Sequence, residues 1–193
     1  MSRVGVIDLD SGNLLSINTA IKAAGNELTV VKQPSETLFT SIDVLVMPGQ
    51  GRFAYVMKQI DDSGWRDFLL EWYRNGRRLV GICVGMQVLF EGSDEDPEAK
   101  GLGFFPGRCH KLPHPKTPMV GWAQLDSYKL SLKDQFAYFV NSFAITECHF
   151  ATSKVTYGQP FCASVQKGNL YGFQFHPEKS GSFGRELIKY VCQ

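Results

Sequence analysis

The chain has 193 residues, of which 44% are hydrophobic and 12% aromatic, so it is large and apolar enough to bury a core and is excluded from the class of disordered segments. Its 20 Lys and Arg residues nearly balance its 19 Asp and Glu residues, which excludes the basic excess typical of nucleic-acid binding. It has no apolar run of about 18 residues, and Asp8 and Asp10 interrupt the first segment, so we expect neither a membrane span nor a secretory signal.

Strands and helices alternate along the first half of the sequence. Runs rich in β-branched and apolar residues predict strands at 3–9, 27–31, 43–48 and 78–82. Apolar residues at helical spacing predict helices at 14–24, near 35–39, at 53–60, at 65–73 and from about 84. Because largely apolar strands are typical of sheets that helices cover on both faces, this half predicts a mainly parallel sheet.

The pattern changes after about Gly92. The acidic SDEDPEAKG at 93–101 predicts a surface loop. Short strand candidates follow at 102–105, 119–122, 138–143, 145–153, 161–166 and 170–175, and a helix is predicted at about 181–191. We expect these strands to extend the same sheet in antiparallel fashion. The prediction is one α/β domain over 1–193, with helices flanking a central, mostly parallel sheet.

The segment GICVG at 81–85 has the form G-x-C-x-G at a strand-to-helix junction. This is the cysteine counterpart of the nucleophile elbow, whose glycines permit a turn too tight for larger side chains. Such a turn presents Cys83 at the carboxyl end of a strand and near the amino end of a helix, where free N–H groups favour the thiolate. The alternative is that Cys83 is a small core residue between two packing glycines.

A second candidate segment is FQFHPE at 173–178. Strand alternation places its two phenylalanines on one face and Gln174, His176 and Glu178 on the other. Pro177 biases His176 toward an extended backbone. A carboxylate beside an imidazole orients the ring and stabilises its protonated form, as in a nucleophile, base and acid triad. The alternative is a capped strand end with no chemical role.

Together, GICVGMQ at 81–87 and QFHPEKS at 174–180 resemble the class I, triad-type glutamine amidotransferases. Within that family, MPGQGRF, VGWA and YFVNSF occur in the order found in the glutaminase subunits of imidazole glycerol phosphate synthases, and the resemblance covers essentially the whole chain. It implies the flavodoxin-like fold of the family. It also implies that Cys83 is the nucleophile, His176 the general acid/base and Glu178 its orienting partner in glutamine hydrolysis through a glutamyl thioester.

The resemblance also implies a substrate site. The glycine loop after the third strand and the N–H that follows the nucleophile offer donors to an oxyanion, and in the family a peptide of this loop must reorient before hydrolysis is efficient. The implied substrate-binding positions are Gly49, Gln50, Gly51, Val84, Gln87, Glu95, Ser142 and Phe143. Glu95 would meet the substrate α-ammonium, or it is solvated surface, as residues of a charged run usually are.

A partner is implied because the triad domain leaves no room in the chain for binding an ammonia acceptor. By resemblance, the partner is a (β/α)8-barrel cyclase subunit of the histidine pathway, and the two subunits form a heterodimer through which ammonia passes. The implied interface positions are Asn13, Trp122, Tyr138 and Lys179. Trp122 suits an interface anchor, and the alternative is an ordinary core aromatic.

The sequence also departs from the usual pattern of these subunits. Gln50 stands where Val is commoner, Ala123 stands where Asn is usual, and Asn141 and Phe143 replace His and Tyr. Two alternatives therefore stay open. One is a related glutaminase that supplies ammonia to another acceptor, such as a sugar, and the other is a noncatalytic scaffold with the same fold.

Five cysteines without regular spacing favour reduced thiols and a cytoplasmic location. Cys109, His110 and His114, like Cys148, His149 and Cys162, include zinc-ligand residue types but lack the paired C-x2-C or H-x3-H spacing of zinc sites. Neither a phosphate loop nor a dinucleotide-binding fingerprint is present. We therefore expect no metal and no cofactor.

Overall fold

A computed structural model describes residues 1–10, 14–127 and 134–193. Its strands are β1 (Arg3–Ile7), β2 (Glu27–Val31), β3 (Val44–Gly49), β4 (Arg78–Cys83), β5 (Gly92–Ser93), β6 (Asp96–Lys100), β7 (Arg108–Lys111), β8 (Met119–Gln124), β9 (Asp126–Ser127), β10 (Phe136–Asn141), β11 (Phe143–Ala144), β12 (Ala151–Tyr157), β13 (Gln159–Lys167) and β14 (Leu170–Phe173). Its helices are α1 (Leu15–Ala23), α2 (Leu38–Ser41), α3 (Phe53–Asp62), α4 (Trp65–Arg74), α5 (Val84–Gln87), a 3-10 helix (Pro177–Lys179) and α6 (Gly181–Cys192).

The main sheet has the strand order β2-β1-β3-β4-β14-β13-β12-β9. The first five of these strands run parallel, and β13, β12 and β9 continue the sheet in antiparallel fashion. Pairing of Gly49 with Cys83 and of Phe173 with Ile82 brings the carboxyl ends of β3, β4 and β14 side by side. In open α/β sheets this edge is where ligands bind.

Helices cover the parallel strands, as the apolar runs predicted. Consecutive residues of β1, β3 and β4 are buried, so both faces of these strands are shielded from solvent. Helices α1 and α6 pack against each other, and with Val46, Val80 and Ile82 they enclose part of the core. Among the described residues, no helix is long and apolar enough to cross a membrane.

The second half of the chain differs from the predicted single sheet. Strands β8 and β10 form a separate two-stranded sheet, and β5, β6, β7 and β11 form a four-stranded one. The acidic segment is a hairpin of β5 and β6 and not a loop. The strand predicted at 145–153 starts only at Ala151, and the helix predicted near 35–39 lies at 38–41.

The predicted strand at 102–105 is wrong for a physical reason. The N–H groups of Gly101, Leu102, Gly103 and Phe104 donate to the carbonyls of Glu91, Val88, Phe90 and Leu89, in that order. These carbonyls follow the single turn of α5, where a helix end leaves acceptors without intrahelical partners. The apolar segment therefore caps the end of a helix and does not pair with a strand.

Candidate active site

Cys83 is the last residue of β4 and adopts φ of +56°, a conformation that non-glycine residues rarely take. The flanking glycines make this turn possible. A Cβ on Gly85 would lie 1.9 Å from the Met47 carbonyl oxygen, and one on Gly81 would lie 2.5 Å from the Gly85 carbonyl oxygen. The elbow predicted from the G-x-C-x-G spacing is therefore present, and the strain at Cys83 is typical of functional sites.

His176 follows β14 and faces Glu178. Its Nδ1 lies 2.8 Å from Glu178 Oε1, and the two side chains are only 5% and 6% exposed. The His176 backbone is extended, with φ of −98° and ψ of 98°, as the following proline predicted. Glu178 reaches the imidazole from the 3-10 helix and not by strand alternation, so the predicted proximity is present although the predicted geometry is wrong.

The surroundings of His176 favour its charged form. Burial opposes protonation, but hydrogen bonds of the ring with the Cys83 sulfur and the Glu178 carboxylate outweigh burial and raise the pKa of His176 to about 10. Since Nδ1 faces Glu178, Nε2 is the ring nitrogen that remains for the sulfur. The ring therefore lies between a sulfur and a carboxylate, and both neighbours favour its protonated form.

Of the other cysteines, Cys109, Cys162 and Cys192 are core residues, and Cys148 is partly buried against the core. Burial raises the pKa of Cys109 and Cys148, and raises that of Cys162 and Cys192 to about 12. All five thiols are free. Within the described ranges, no three His, Cys, Asp or Glu side chains lie close enough together to hold a metal ion. Cys83 differs from the other four because it lines a cavity together with His176.

That cavity has a volume of about 350 Å³, which suits a small molecule. The predicted residues that line it are Gln50, Gly51, Cys83, Val84, Gln87, Glu95, Ser142, Phe143, His176 and Lys179. These residues come from widely separated parts of the sequence. Their convergence is therefore a property of the fold and not of any one motif.

Gly49 is a predicted binding residue that the structure places elsewhere. It is buried at the end of β3, and a Cβ there would lie 2.6 Å from the Gly85 backbone nitrogen. Gly49 therefore lets β3 approach the elbow and does not line the cavity. Gln50 and Gly51 lie at the cavity, and Gly51 adopts φ of +90°, a conformation that favours glycine.

Glu95 lies in the hairpin turn between β5 and β6, beside the start of α3. The Phe53 N–H donates to its Oε2 at 3.0 Å, and the Ala54 N–H donates to Asp96 Oδ2 at 3.0 Å. Two carboxylates therefore cap α3, where anions are stabilised. Of these two carboxylates, Glu95 lines the cavity.

Gln87 is already hydrogen-bonded within the protein. Its Nε2 donates to the Phe143 carbonyl and to Gln174 Oε1, both at 2.9 Å, which leaves its Oε1 for a ligand. The Phe143 carbonyl also accepts from Asn141 Nδ2 at 3.2 Å, so both of its lone pairs are used. A substrate can therefore contact Phe143 only through its backbone N–H or its side chain.

Sequence reasoning missed several residues at the cavity. Pro118, Val140 and Asn141 line it, and no pattern in the sequence singles out the first two. Gln174 is fully buried behind Cys83, with its Nε2 lying 4.0 Å from the sulfur. Strand alternation predicts that Gln174 lies on the same face as His176, although the pattern alone indicates no chemical role for it. That alternation was the signal that could have identified it.

The residues predicted for an interface lie on one outward surface, apart from Asn13, which is outside the described residues. Trp122 is 55% exposed, so its interpretation as a core aromatic is wrong. Its ring lies 5.9 Å from that of Tyr138, which is opposite it in the β8–β10 pairing. Lys179 is exposed nearby at the rim of the cavity. We call the exposed surface of Val120, Trp122, Phe136 and Val140 the apolar face.

Comparison with known proteins identifies the family. The family described as "Glutamine amidotransferase class-I" matches residues 5–190. The chain belongs to this family. In this class I glutamine amidotransferase, the cysteine elbow therefore faces a histidine and a glutamate at the edge of a parallel sheet.

The chain is similar over nearly its whole length to proteins that are named as subunits of a synthase. The chain is 40% identical to an "Imidazole glycerol phosphate synthase subunit HisH" of Thermus thermophilus, over 95% of this chain and 93% of that protein. It is 36% identical to a protein of the same name from Desulfitobacterium hafniense, over 96% of this chain and 92% of that protein. A solved structure described as a glutamine amidotransferase matches with a TM-score of 0.79 and 20% identity over 97% of this chain and 96% of that one, which supports the fold.

Proposed function

We propose that this chain is the glutamine-hydrolysing subunit of imidazole glycerol phosphate synthase, in a cytoplasmic complex of the histidine pathway. The observation that carries the proposal is the line formed by Glu178, His176 and the Cys83 sulfur, of which His176 and Cys83 line one cavity. The near-full-length similarity to proteins named as this subunit supports the choice among amidotransferases.

The first half of the reaction forms a thioester. The Cys83 thiolate attacks the side-chain carbonyl carbon of glutamine, and an S–C bond forms. The carbonyl oxygen becomes an oxyanion, for which the backbone N–H groups of Val84 and of the Gln50–Gly51 loop are the available donors. His176 then gives its Nε2 proton to the amide nitrogen, the C–N bond breaks and ammonia leaves.

The second half releases glutamate. His176, now neutral, takes a proton from a water molecule, and the resulting hydroxide attacks the thioester carbon. The C–S bond breaks, and the Cys83 thiolate is regenerated beside the imidazolium. In both halves the Glu178 carboxylate accepts from Nδ1 and stabilises the imidazolium that forms, as the carboxylate of a triad does.

The α-substituents of glutamine fit the polar groups of the cavity wall. Gln87 offers an acceptor through Oε1, because its nitrogen is used within the protein. Glu95 adds a carboxylate with one oxygen not used by Phe53. An acceptor and a negative charge together select a substrate with an α-ammonium group.

The partner is a (β/α)8-barrel cyclase subunit that takes the ammonia and forms a heterodimer with this chain. The apolar face supports an interface, because Val120, Trp122, Phe136 and Val140 are 61%, 55%, 54% and 37% exposed on neighbouring strands. Exposed aromatic side chains of this kind anchor protein interfaces. Tyr138 and Lys179 join this face to the cavity, and Asn13 belongs to the same proposed interface.

Complementation tests the proposal. We expect the chain and the barrel subunit of the same source to restore growth without histidine in a host that lacks its own glutaminase subunit. Cys83→Ala is the matched control, and it is expected to restore growth only when ammonium salts are supplied in excess. Glutamate release by the purified pair without complementation would instead point to another ammonia acceptor, such as a sugar. Glutamate release that survives Cys83→Ala would contradict the assigned site.

A further inference from the structure

A buried line of amides connects a backbone carbonyl to the Cys83 sulfur. Gln87 Nε2 lies 2.9 Å from the Phe143 carbonyl oxygen and 2.9 Å from Gln174 Oε1. Gln174 Nε2 in turn lies 4.0 Å from Cys83 Sγ. Gln87 is 3% exposed and Gln174 is fully buried, so water does not compete for these groups.

The Phe143 carbonyl determines which atom donates and which atom accepts in every hydrogen bond of this line. A backbone carbonyl only accepts, so the Gln87 atom that faces Phe143 is the nitrogen. That nitrogen has two hydrogens, and the second points to Gln174. The Gln174 atom that receives it must be the oxygen. Gln174 therefore turns its own nitrogen, a donor, toward Cys83.

The sulfur consequently lies between an acceptor and a donor. On one side the Val140 carbonyl oxygen lies 3.7 Å from Sγ, where it can accept from a neutral thiol. On the other side lies Gln174 Nε2, which can donate only to sulfur lone pairs. A thiolate is repelled by the carbonyl and attracted by the amide hydrogen, so the two neighbours favour different protonation states of Cys83.

We propose that Gln174 is an N–H donor to the Cys83 thiolate and that Gln87 and the Phe143 carbonyl fix the direction of its amide. The proposal rests on the proposed function in so far as the thiolate is the attacking species. The Gln174 amide hydrogen would then carry a partial positive charge beside the sulfur, in addition to the charge on His176. It also gives Gln87 two tasks, since the bond that orients Gln174 leaves Gln87 Oε1 for the substrate.

The test is the pH dependence of Cys83 alkylation by iodoacetamide, measured on the full chain by mass spectrometry of the Cys83 peptide. Gln174→Met keeps the length of the side chain and removes the donor. We expect it to move the midpoint of the alkylation profile up by about one to two pH units, because a hydrogen bond to a charged group is lost. An unmoved midpoint in the folded variant would overturn the proposal.

Asn141→Ala is the matched control. Asn141 also donates to the Phe143 carbonyl and lines the same cavity, but the amide line from Gln87 to Cys83 does not pass through it. We expect its alkylation midpoint to equal that of the wild type. A shift as large as that of Gln174→Met would mean that any cavity change moves the midpoint, and it would overturn the assignment to Gln174.

A double-substitution cycle tests whether Gln87 fixes the orientation of the Gln174 amide. Gln87→Met removes the hydrogen that fixes Gln174, so we expect an upward shift of the midpoint in the wild-type background. In the Gln174→Met background the same substitution is expected to add nothing, because no amide remains to be turned. Shifts that simply add would show that Gln87 acts on Cys83 by another route and would overturn the relay.

The buried thiols of Cys109, Cys162 and Cys192 report on folding in the same samples, since they react only if the chain opens. If these thiols are alkylated in Gln174→Met, Gln174→Leu, which also lacks the donor and adds no charge, takes its place with the same expected direction. None of these measurements uses glutamine. A chain that fails to hydrolyse glutamine while its midpoints shift as described contradicts the proposed function and leaves the Gln174 assignment standing.

Discussion

Nδ1 of His176 lies 2.8 Å from Oε1 of Glu178, and both side chains are withdrawn from solvent. The second carboxylate oxygen, Oε2, is buried and has no hydrogen-bond partner among the described residues. The carboxylate is therefore held by a single strong contact with the ring. This pair makes the charge on His176 depend on Glu178, and the first two predictions depend on it.

Glu178→Gln is expected to lower kcat for glutamine hydrolysis by roughly 10²-fold to 10³-fold. The amide can still accept a hydrogen bond from Nδ1, so the ring keeps its orientation and the fold is preserved. What is lost is the negative charge that supports the imidazolium. Glutamate release in the partner complex measures the effect. Glu186→Gln, at an exposed position of α6, is the control, and equal rates in the two variants would remove Glu178 from the mechanism.

The stability of the protein is expected to depend on pH through His176. Its folded pKa of about 10 lies above the value of about 6.5 for an unfolded chain, so the folded state binds the proton more tightly. The resulting stabilisation is complete below about pH 6.5 and is lost as the pH rises toward 10. Urea unfolding of the wild type and of His176→Asn across this range measures it. We expect the difference between their free energies of unfolding to shrink with rising pH, and parallel profiles would contradict the raised pKa.

Gly85→Ala is expected to destabilise the fold by about 3 kcal/mol or more, because its Cβ would overlap the Met47 carbonyl oxygen. Gly103→Ala is the control that separates the effect of this clash from the effect of an unfavourable backbone conformation. Gly103 has φ of +68° and open space around the position of a Cβ, so alanine there costs only about 1 kcal/mol. Chemical denaturation compares the two variants. Similar losses would mean that strand β3 moves away from the elbow at little cost.

Glu95→Gln is expected to raise the KM for glutamine by about tenfold to 100-fold with a smaller effect on kcat, because a charged contact with the α-ammonium is lost. Asp96→Asn is the matched control, since both carboxylates accept from the first turn of α3 but Asp96 does not line the cavity. Steady-state kinetics of the partner complex distinguish the two. Equal changes in KM would show that Glu95 acts only as a helix cap.

Trp122→Ala is expected to weaken binding of the barrel subunit by about 30-fold, which corresponds to about 2 kcal/mol. The melting temperature of the isolated chain is expected to stay close to that of the wild type, since Trp122 is largely exposed. Tyr190→Ala, at an exposed aromatic of α6, is the control. Calorimetric titration measures both variants, and unchanged affinity in Trp122→Ala would place the interface elsewhere.

The parts of the site that lie close together in sequence could be predicted from it. The elbow depends on glycines two residues before and after Cys83, so its sequence signal lies within a five-residue segment, although Gly85 makes its closest contact with Met47 of β3. The proximity of His176 and Glu178 was also local, although a 3-10 helix and not a strand produces it. Local patterns thus gave the right neighbours even where they gave the wrong backbone.

The parts that depend on distant segments could not be predicted in this way. Gln87 meets Phe143 and Gln174 across 56 and 87 residues, so only the assembled sheet brings their atoms together. The same holds for Glu95, whose charged segment pairs as a hairpin and meets the start of α3. For such contacts the sequence indicates which residue types are available but not which atoms they meet.

Strand β10 borders the cavity and the apolar face at once. Its Tyr138 carbonyl accepts from the His176 N–H, and its Val140 carbonyl lies 3.7 Å from the Cys83 sulfur, while Val140 also contributes its side chain to the apolar face. A substitution in β10 therefore alters the proposed docking surface and the proposed hydrolytic centre together. We expect that sequence changes in this strand that adapt the apolar face to a different partner also change the surroundings of Cys83 and His176.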